Sequence, residues 1–171
     1  MLRIGVMTAI LIANFSLQST LFQYIEILGV RPNTVLIIIV SYSILRGDVE
    51  GAILGFFAGL TTDVYFGQYI GLYALMYMLT GYLCGKPFRN FFRENFLLPL
   101  SLVAVSSILY QFVIYIVDFL FRAELDLPYF FRTIILPGSV YTLILTVPIY
   151  SLMYGINSKL EEFEKNRRKL F

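Results

Sequence analysis

The sequence predicts an all-α integral membrane protein, a single bundle of six transmembrane helices, and three observations carry that expectation. Hydrophobic residues make up 58% of the chain and charged residues only 14%, where a soluble domain carries about a quarter. Mean hydropathy is +0.78, and six apolar segments follow one another between short breaks of glycine, proline or charge. Lysine and arginine gather overwhelmingly in the connections that one side of such a bundle would hold.

At 19.7 kDa the chain has room for one transmembrane domain, residues 1–156, and a cytoplasmic basic tail, residues 157–171. It holds no histidine and one cysteine, Cys84. That excludes histidine acid/base catalysis, His/Cys metal sites and an internal disulfide. Cys84 ends an apolar run and reads as a small packing residue. With no tryptophan present, tyrosine is left to anchor the helices at the membrane interface.

The first segment runs from about Ile4 to Tyr24, near the ~20 residues that a bilayer core requires. Arg3 ahead of an apolar run resembles a signal peptide, but no small-residue cleavage site follows, so the segment is expected to stay as a span. Asn14 and Gln18 lie four apart and place two amides on one face, where they need partners away from lipid. Ala9 and Ala13 form a small-residue pair. Gly29 and Pro32 break the linker from Glu26 to Asn33.

The second segment, Thr34 to Leu45, is isoleucine- and valine-rich but only about a dozen residues long, too short at ~1.5 Å per residue to cross ~30 Å of hydrocarbon. The third, Ala52 to about Tyr65, is similarly short. The charged RGDVEG linker between them fits two short spans better than a re-entrant pair, because a re-entrant pair would bury Arg46 and Asp48 in the membrane. Continuous helices through the polar ends, with Arg46 and Glu50 paired at four-residue spacing, are the alternative.

The fourth segment, Ile70 to Gly85, contains the small pair Gly81 and Gly85. Residues 86–95 place three positive charges among aromatics, and Pro87 breaks the helix; the remainder suits an amphipathic piece lying on the membrane surface. The fifth segment, Phe96 to Phe121, spans with tilt and carries Gln111 and Asp118. Residues 122–128 form a loop that stops at Pro128. The sixth, Arg132 to about Ile156, includes Pro137, Gly138 and Pro148, so it is expected to bend or begin late.

With six spans and both termini on one side, that side holds Arg3, Arg46, Lys86, Arg89, Arg93, Lys159, Lys165, Arg167, Arg168 and Lys169. The other holds Arg31, Arg122 and Arg132. This asymmetry places both termini in the cytoplasm.

No reaction centre emerges. Asp63, Asp118 and Glu26 show no dyad or metal-cage spacing, Ser106-Ser107 has no base near it in sequence, and RGDVEG lacks the pattern and lysine of a phosphate-binding loop. Catalytic residues, cofactors, metals and nucleic acid are therefore not expected. The residues alone leave two classes level: a scaffold that holds other spans, and a small-molecule transporter with a midplane pocket.

The distinctive pattern lies between Arg46 and Gly85. Gly47, Gly51, Gly55 and Gly59 recur every four residues, Asp63 takes the next interval, and Gly67 and Gly71 follow. On a helix positions four apart lie on one face, so from Gly51 to Asp63 the interval draws a smooth seam on which two backbones approach closely. Asp63 ends that seam as an ionisable group in an apolar segment, a functional-site hypothesis by default; the plainer reading sets it at the water line. The helix-packing or partner-binding set is Gly51, Gly55, Gly59, Asp63, Gly71 and Gly81. The buried polar set is Asn14, Gln18 and Asn33.

Within residues 31–85, Pro32-Asn33, Arg46-Gly47, Gly51, Gly55-Phe56, Gly59-Leu60, Asp63, Gly67, the run from Gly71 to Leu75, and Gly81-Tyr82 form an ordered set. In these residues the chain resembles the MreD family, rod shape-determining membrane proteins of bacteria. The resemblance implies a non-enzymatic scaffold in the plasma membrane that binds MreC. Through that complex it would reach MreB filaments, the peptidoglycan polymerase RodA and its penicillin-binding transpeptidase, with membrane lipid around it and a homodimer open. The family also looks like the substrate-binding S components of energy-coupling-factor vitamin transporters in fold. That gives the transporter alternative a definite form: Ala9 and Ala13 would face a coupling subunit, and Asn14 and Gln18 would line a pocket.

Overall fold

A computed structural model describes residues 2–20, 32–66, 71–86, 97–122 and 127–168. Within them every element is helical: α1 Leu2–Thr20, α2 Thr34–Arg46, α3 Asp48–Phe66, α4 Leu72–Gly85, α5 Leu97–Arg122, α6 Leu127–Phe130, a π-helical stretch Phe131–Ile135, and α7 Leu136–Arg168. The expected amphipathic surface piece after Lys86, the 26–31 part of the first linker, and Gly67 lie outside the described residues, as does the side chain of Asp118. Two helical stretches, Leu97–Val117 and Phe131–Phe163, are long and apolar enough to cross a membrane; Gly5–Gln18, Thr34–Arg46 and Leu72–Gly85 are apolar but shorter.

The centre of the bundle is α2. Every residue from Thr34 to Leu45 is buried, and α1, α3, α4, α5 and α7 all touch it. A helix apolar all round suits that position. Its two serine hydroxyls are satisfied locally: Ser41 Oγ donates to the Ile37 carbonyl at 2.6 Å and Ser43 Oγ to that of Ile39 at 2.7 Å. Ile37, Ile39, Val40 and Ile44 join Ala58 of α3, Tyr77 and Cys84 of α4 and Val103 of α5 in one apolar core. Met7 of α1 belongs to a second cluster with Ile38, Tyr42 and Leu45 of α2 and Met153 of α7.

The turn between α2 and α3 is shorter than the RGDVEG linker expected from sequence. Gly47 alone separates the helices, at φ 111°, a backbone region that favours glycine. Its N–H donates to Ser43 O at 2.7 Å and its carbonyl accepts from Gly51 N at 3.1 Å. Accordingly α3 takes in the polar residues and is 19 residues long, about 28 Å at 1.5 Å per residue. Asp48 and Glu50 fill its first turn, where the helix dipole favours negative charge.

Continuity of the helices through this turn does not bring the Arg46–Glu50 pair with it. The α2 C-terminus directs Arg46 toward α7 instead, where Nε donates to Asn157 Oδ1 at 2.7 Å and one terminal nitrogen lies 3.9 Å from Glu161 Oε1. Glu50 accepts from the Tyr42 hydroxyl at 2.8 Å.

The C-terminal third also differs from expectation. Pro128 does not stop a loop but sits in the first turn of α6, where its missing N–H costs nothing. The late start expected from Pro137 is a π-helical passage joining α6 to α7, and Pro148 lies inside α7 without ending it. Helix α7 runs without a break through residue 156 to Arg168, and Asn157 and Leu160 along it are buried.

Candidate functional site

The glycine interval on α3 faces α4, and the two helices run antiparallel in close contact. A Cβ added at Gly51 would fall within 3.0 Å of the Ser43 side chain and reach the Gly81 carbonyl. At Gly55 it would strike the Tyr77 carbonyl, and at Gly59 the Ala74 backbone. From the other helix, a Cβ at Gly81 would meet the Gly51 carbonyl, and one at Gly85 the backbone of Asp48. Small residues on both sides thus bring backbone against backbone along the seam, the packing that replaces hydrophobic driving force between apolar helices in lipid.

Asp63 terminates the seam. It is 3% exposed; Oδ1 accepts from Tyr73 N and Oδ2 from Ala74 N, both at 3.0 Å. Tyr73 and Ala74 are the second and third residues of α4, and the position ahead of the helix is Gly71, which has no capping side chain. The carboxylate of α3 therefore caps α4 from across the seam, satisfying two orphan amides and meeting the positive end of the helix dipole. Among the described residues these two backbone amides, and no cationic side chain, are what meets the Asp63 carboxyl group. Gly71, expected on the packing face, serves the turn instead: its φ is 95° and a Cβ there would meet open space.

Asn33 joins three helices. Its Oδ1 accepts from Leu36 N as the α2 cap and from the Tyr77 hydroxyl, both at 3.0 Å, while its N–H donates to Thr142 Oγ1 of α7 at 3.2 Å. The Tyr77 ring stacks on Tyr110 of α5 with centroids 5.4 Å apart, and Tyr73 lies 5.9 Å from Tyr110. A polar contact also joins α5 to α7, where Gln111 Nε2 donates to Ser107 Oγ and Ser139 Oγ at 3.1 Å each. Cys84 lies 3.5 Å from Ser106 Oγ, buried between α4 and α5.

Asn14 stands apart from these networks. It is buried on α1, and its Nδ2 finds no hydrogen-bond partner among the described residues. Gln18 is half-buried one turn on. The fold thus brings Gly51, Gly55, Gly59, Asp63 and Gly81 to one contact, connects Asn33 to its far side through Tyr77, and leaves the amides of α1 elsewhere. Sequence reasoning missed Tyr77, Thr142, Asn157 and Glu161 as partners. Tyr77 is four residues from both Tyr73 and Gly81, which places it on the same helix face, but nothing local ties it to Asn33.

This arrangement is structural in its chemistry: carboxylate, amide and hydroxyl groups are occupied with backbone and with one another. Among the described residues no group of three His, Cys, Asp or Glu side chains is placed to hold a metal ion. A family model described as rod shape-determining protein MreD matches residues 1–156. No curated protein and no solved structure matches the chain.

Proposed function

Because the chain belongs to the MreD family, whose role is rod shape determination in bacteria, we propose that it is a non-enzymatic membrane scaffold of the cell-elongation machinery. Its direct partner in this reading is MreC, and through the complex it helps couple MreB filaments to the peptidoglycan synthesis of RodA and its penicillin-binding transpeptidase. Six spans cross the plasma membrane, with residues 1–156 as the transmembrane domain, residues 157–171 as its basic tail and both termini cytoplasmic. The family match over residues 1–156 carries the reading. The α3–α4 seam supports it physically, because a close glycine contact locked by Asp63 makes a stiff pair of helices against which others can be positioned.

The test is complementation. In a rod-shaped cell depleted of its own MreD, this chain is expected to restore rods and to co-purify MreC from detergent. The Gly55→Leu variant, inserted at equal level, is expected to do neither. Rods restored without any MreC contact would remove the scaffold reading.

An S component of a vitamin transporter is the second reading. Two observations favour it: Ala9 and Ala13 are both exposed on α1, as a coupling-subunit contact requires, and the Asn14 amide is buried without a partner. A vitamin-sized molecule retained through purification, together with ATP-dependent uptake, would select it.

A further inference from the structure

Between α1 and α3 lies an apolar groove of about 780 Å³, walled by Leu11 and Ile12 on one side and Ile53 and Phe57 on the other. The helices meet near one end through the rings of Phe15 and Tyr65, 6.3 Å apart. Toward the other end the lining turns polar, with the Glu50 carboxylate held at 2.8 Å by the Tyr42 hydroxyl. From Glu50 to Thr61 the α3 wall runs about 16 Å, three helical turns.

Exposed apolar side chains are ordinary on a lipid-facing helix, so Ile12, Ile53 and Phe57 alone select no occupant. Glu50 does. Arg46, at the spacing that would neutralise it, is turned to Asn157 and Glu161, and among the described residues no lysine or arginine pairs with Glu50. Glu50 is exposed at the mouth of the apolar groove, where a positive charge at the end of an apolar body would complement it. An acyl chain would suit the walls but brings a phosphate toward that carboxylate. A membrane-crossing helix meets both demands: its side chains fill the groove, and lysine or arginine flanks its cytoplasmic end, the side on which the scaffold reading puts Arg46 and Glu50.

We propose that this groove is the docking site of a partner's single transmembrane helix, and that a lysine or arginine at that helix's cytoplasmic end pairs with Glu50. The inference rests on the scaffold reading and adds to it a place and a charge code. Two measurements test it on the full chain co-expressed with MreC. The photo-crosslinker p-benzoylphenylalanine is placed at Ile53 in the groove or at Val105, exposed on α5, and the partner recovered is measured with Glu50→Gln and Glu50→Lys.

We expect an MreC adduct from position 53 and none from 105. Glu50→Gln, which keeps an acceptor for Tyr42, should lower MreC recovery roughly fivefold, the equivalent of about 1 kcal/mol. Glu50→Lys should lower it further, and recovery should return when a basic residue flanking the MreC span is changed to glutamate. MreC retained with its adduct only at 105 overturns the groove and leaves the scaffold reading standing. Adducts from 53 only to phospholipid, or only to a second copy of this chain, overturn the groove as well. Failure of the unsubstituted chain to retain MreC at all removes the scaffold reading and this inference with it.

Discussion

Asp63 and Ala74 face each other across the α3–α4 seam, with the carboxylate of one accepting the backbone N–H of the other at 3.0 Å. The Tyr73 amide fills the second oxygen at the same distance. A residue eleven positions away thereby performs the capping that helices usually receive from the residue just ahead of them.

Replacing Asp63 should therefore destabilise α4 in graded fashion. Asp63→Asn keeps one acceptor oxygen and loses the charge facing the dipole, whereas Asp63→Ala leaves both amides unmet. The alanine variant is expected to lose about 1–2 kcal/mol and the asparagine variant less, read as thermal unfolding in detergent. Equal stability of asparagine variant and parent would deny the charge any role.

Two glycine-to-alanine changes separate the seam from the rest. At Gly55 the new methyl meets the Tyr77 carbonyl, and overpacking of this kind costs about 1–3 kcal/mol. At Gly155, inside α7, a Cβ meets nothing within 4 Å, so the helix should gain about 0.5–1 kcal/mol. Opposite signs in the unfolding temperature are the expected result, and a neutral Gly55→Ala would contradict the close contact.

Tyr77→Phe removes the hydroxyl that bonds Asn33 and should cost about 0.5–1.5 kcal/mol. Asn33→Ala removes the α2 cap as well as the acceptor that the Tyr77 hydroxyl meets on this side, so its cost should be larger. A double-mutant cycle on the pair should return a coupling of about 0.5 kcal/mol or more. Strict additivity would place the hydroxyl's principal contact elsewhere.

Arg46→Lys tests the contact between the α2 end and α7. A lysine cannot hold the Asn157 carbonyl oxygen and Glu161 with a planar fork, so the variant should be less stable and the end of α7 more open to hydrogen exchange. Glu161→Gln should matter much less, because that pair spans 3.9 Å while the Asn157 bond is 2.7 Å. Protection of residues 157–168 unchanged in Arg46→Lys would show that Arg46 does not hold α7.

The legible parts of the site were those whose partners follow from one helix's own geometry. The interval of Gly51, Gly55 and Gly59 is such a case, since a 3.6-residue turn fixes which side chains share a face. Asn33 is expected from sequence only as a buried polar residue, and its capping bond to Leu36 N appears in the structure alone. Arg46 and Glu50 show the limit: their spacing allows a pair, yet Gly47 at positive φ breaks the helix between them, so the spacing no longer applies. Gly71 belongs with them, a seventh beat of the interval that falls in a turn.

By itself the sequence determined the apolar, helical character of the chain, its membrane class and the face on which α3 is smooth, because composition and helical periodicity are properties of short windows. The tertiary structure alone decided that α2 occupies the centre, that Asp63 caps α4, that Arg46 reaches Asn157, and that Glu50 is left at the mouth of a groove. Each of these depends on how whole helices are rotated and stacked against one another. That arrangement is fixed by the joint packing of many side chains, and no single stretch of residues contains it.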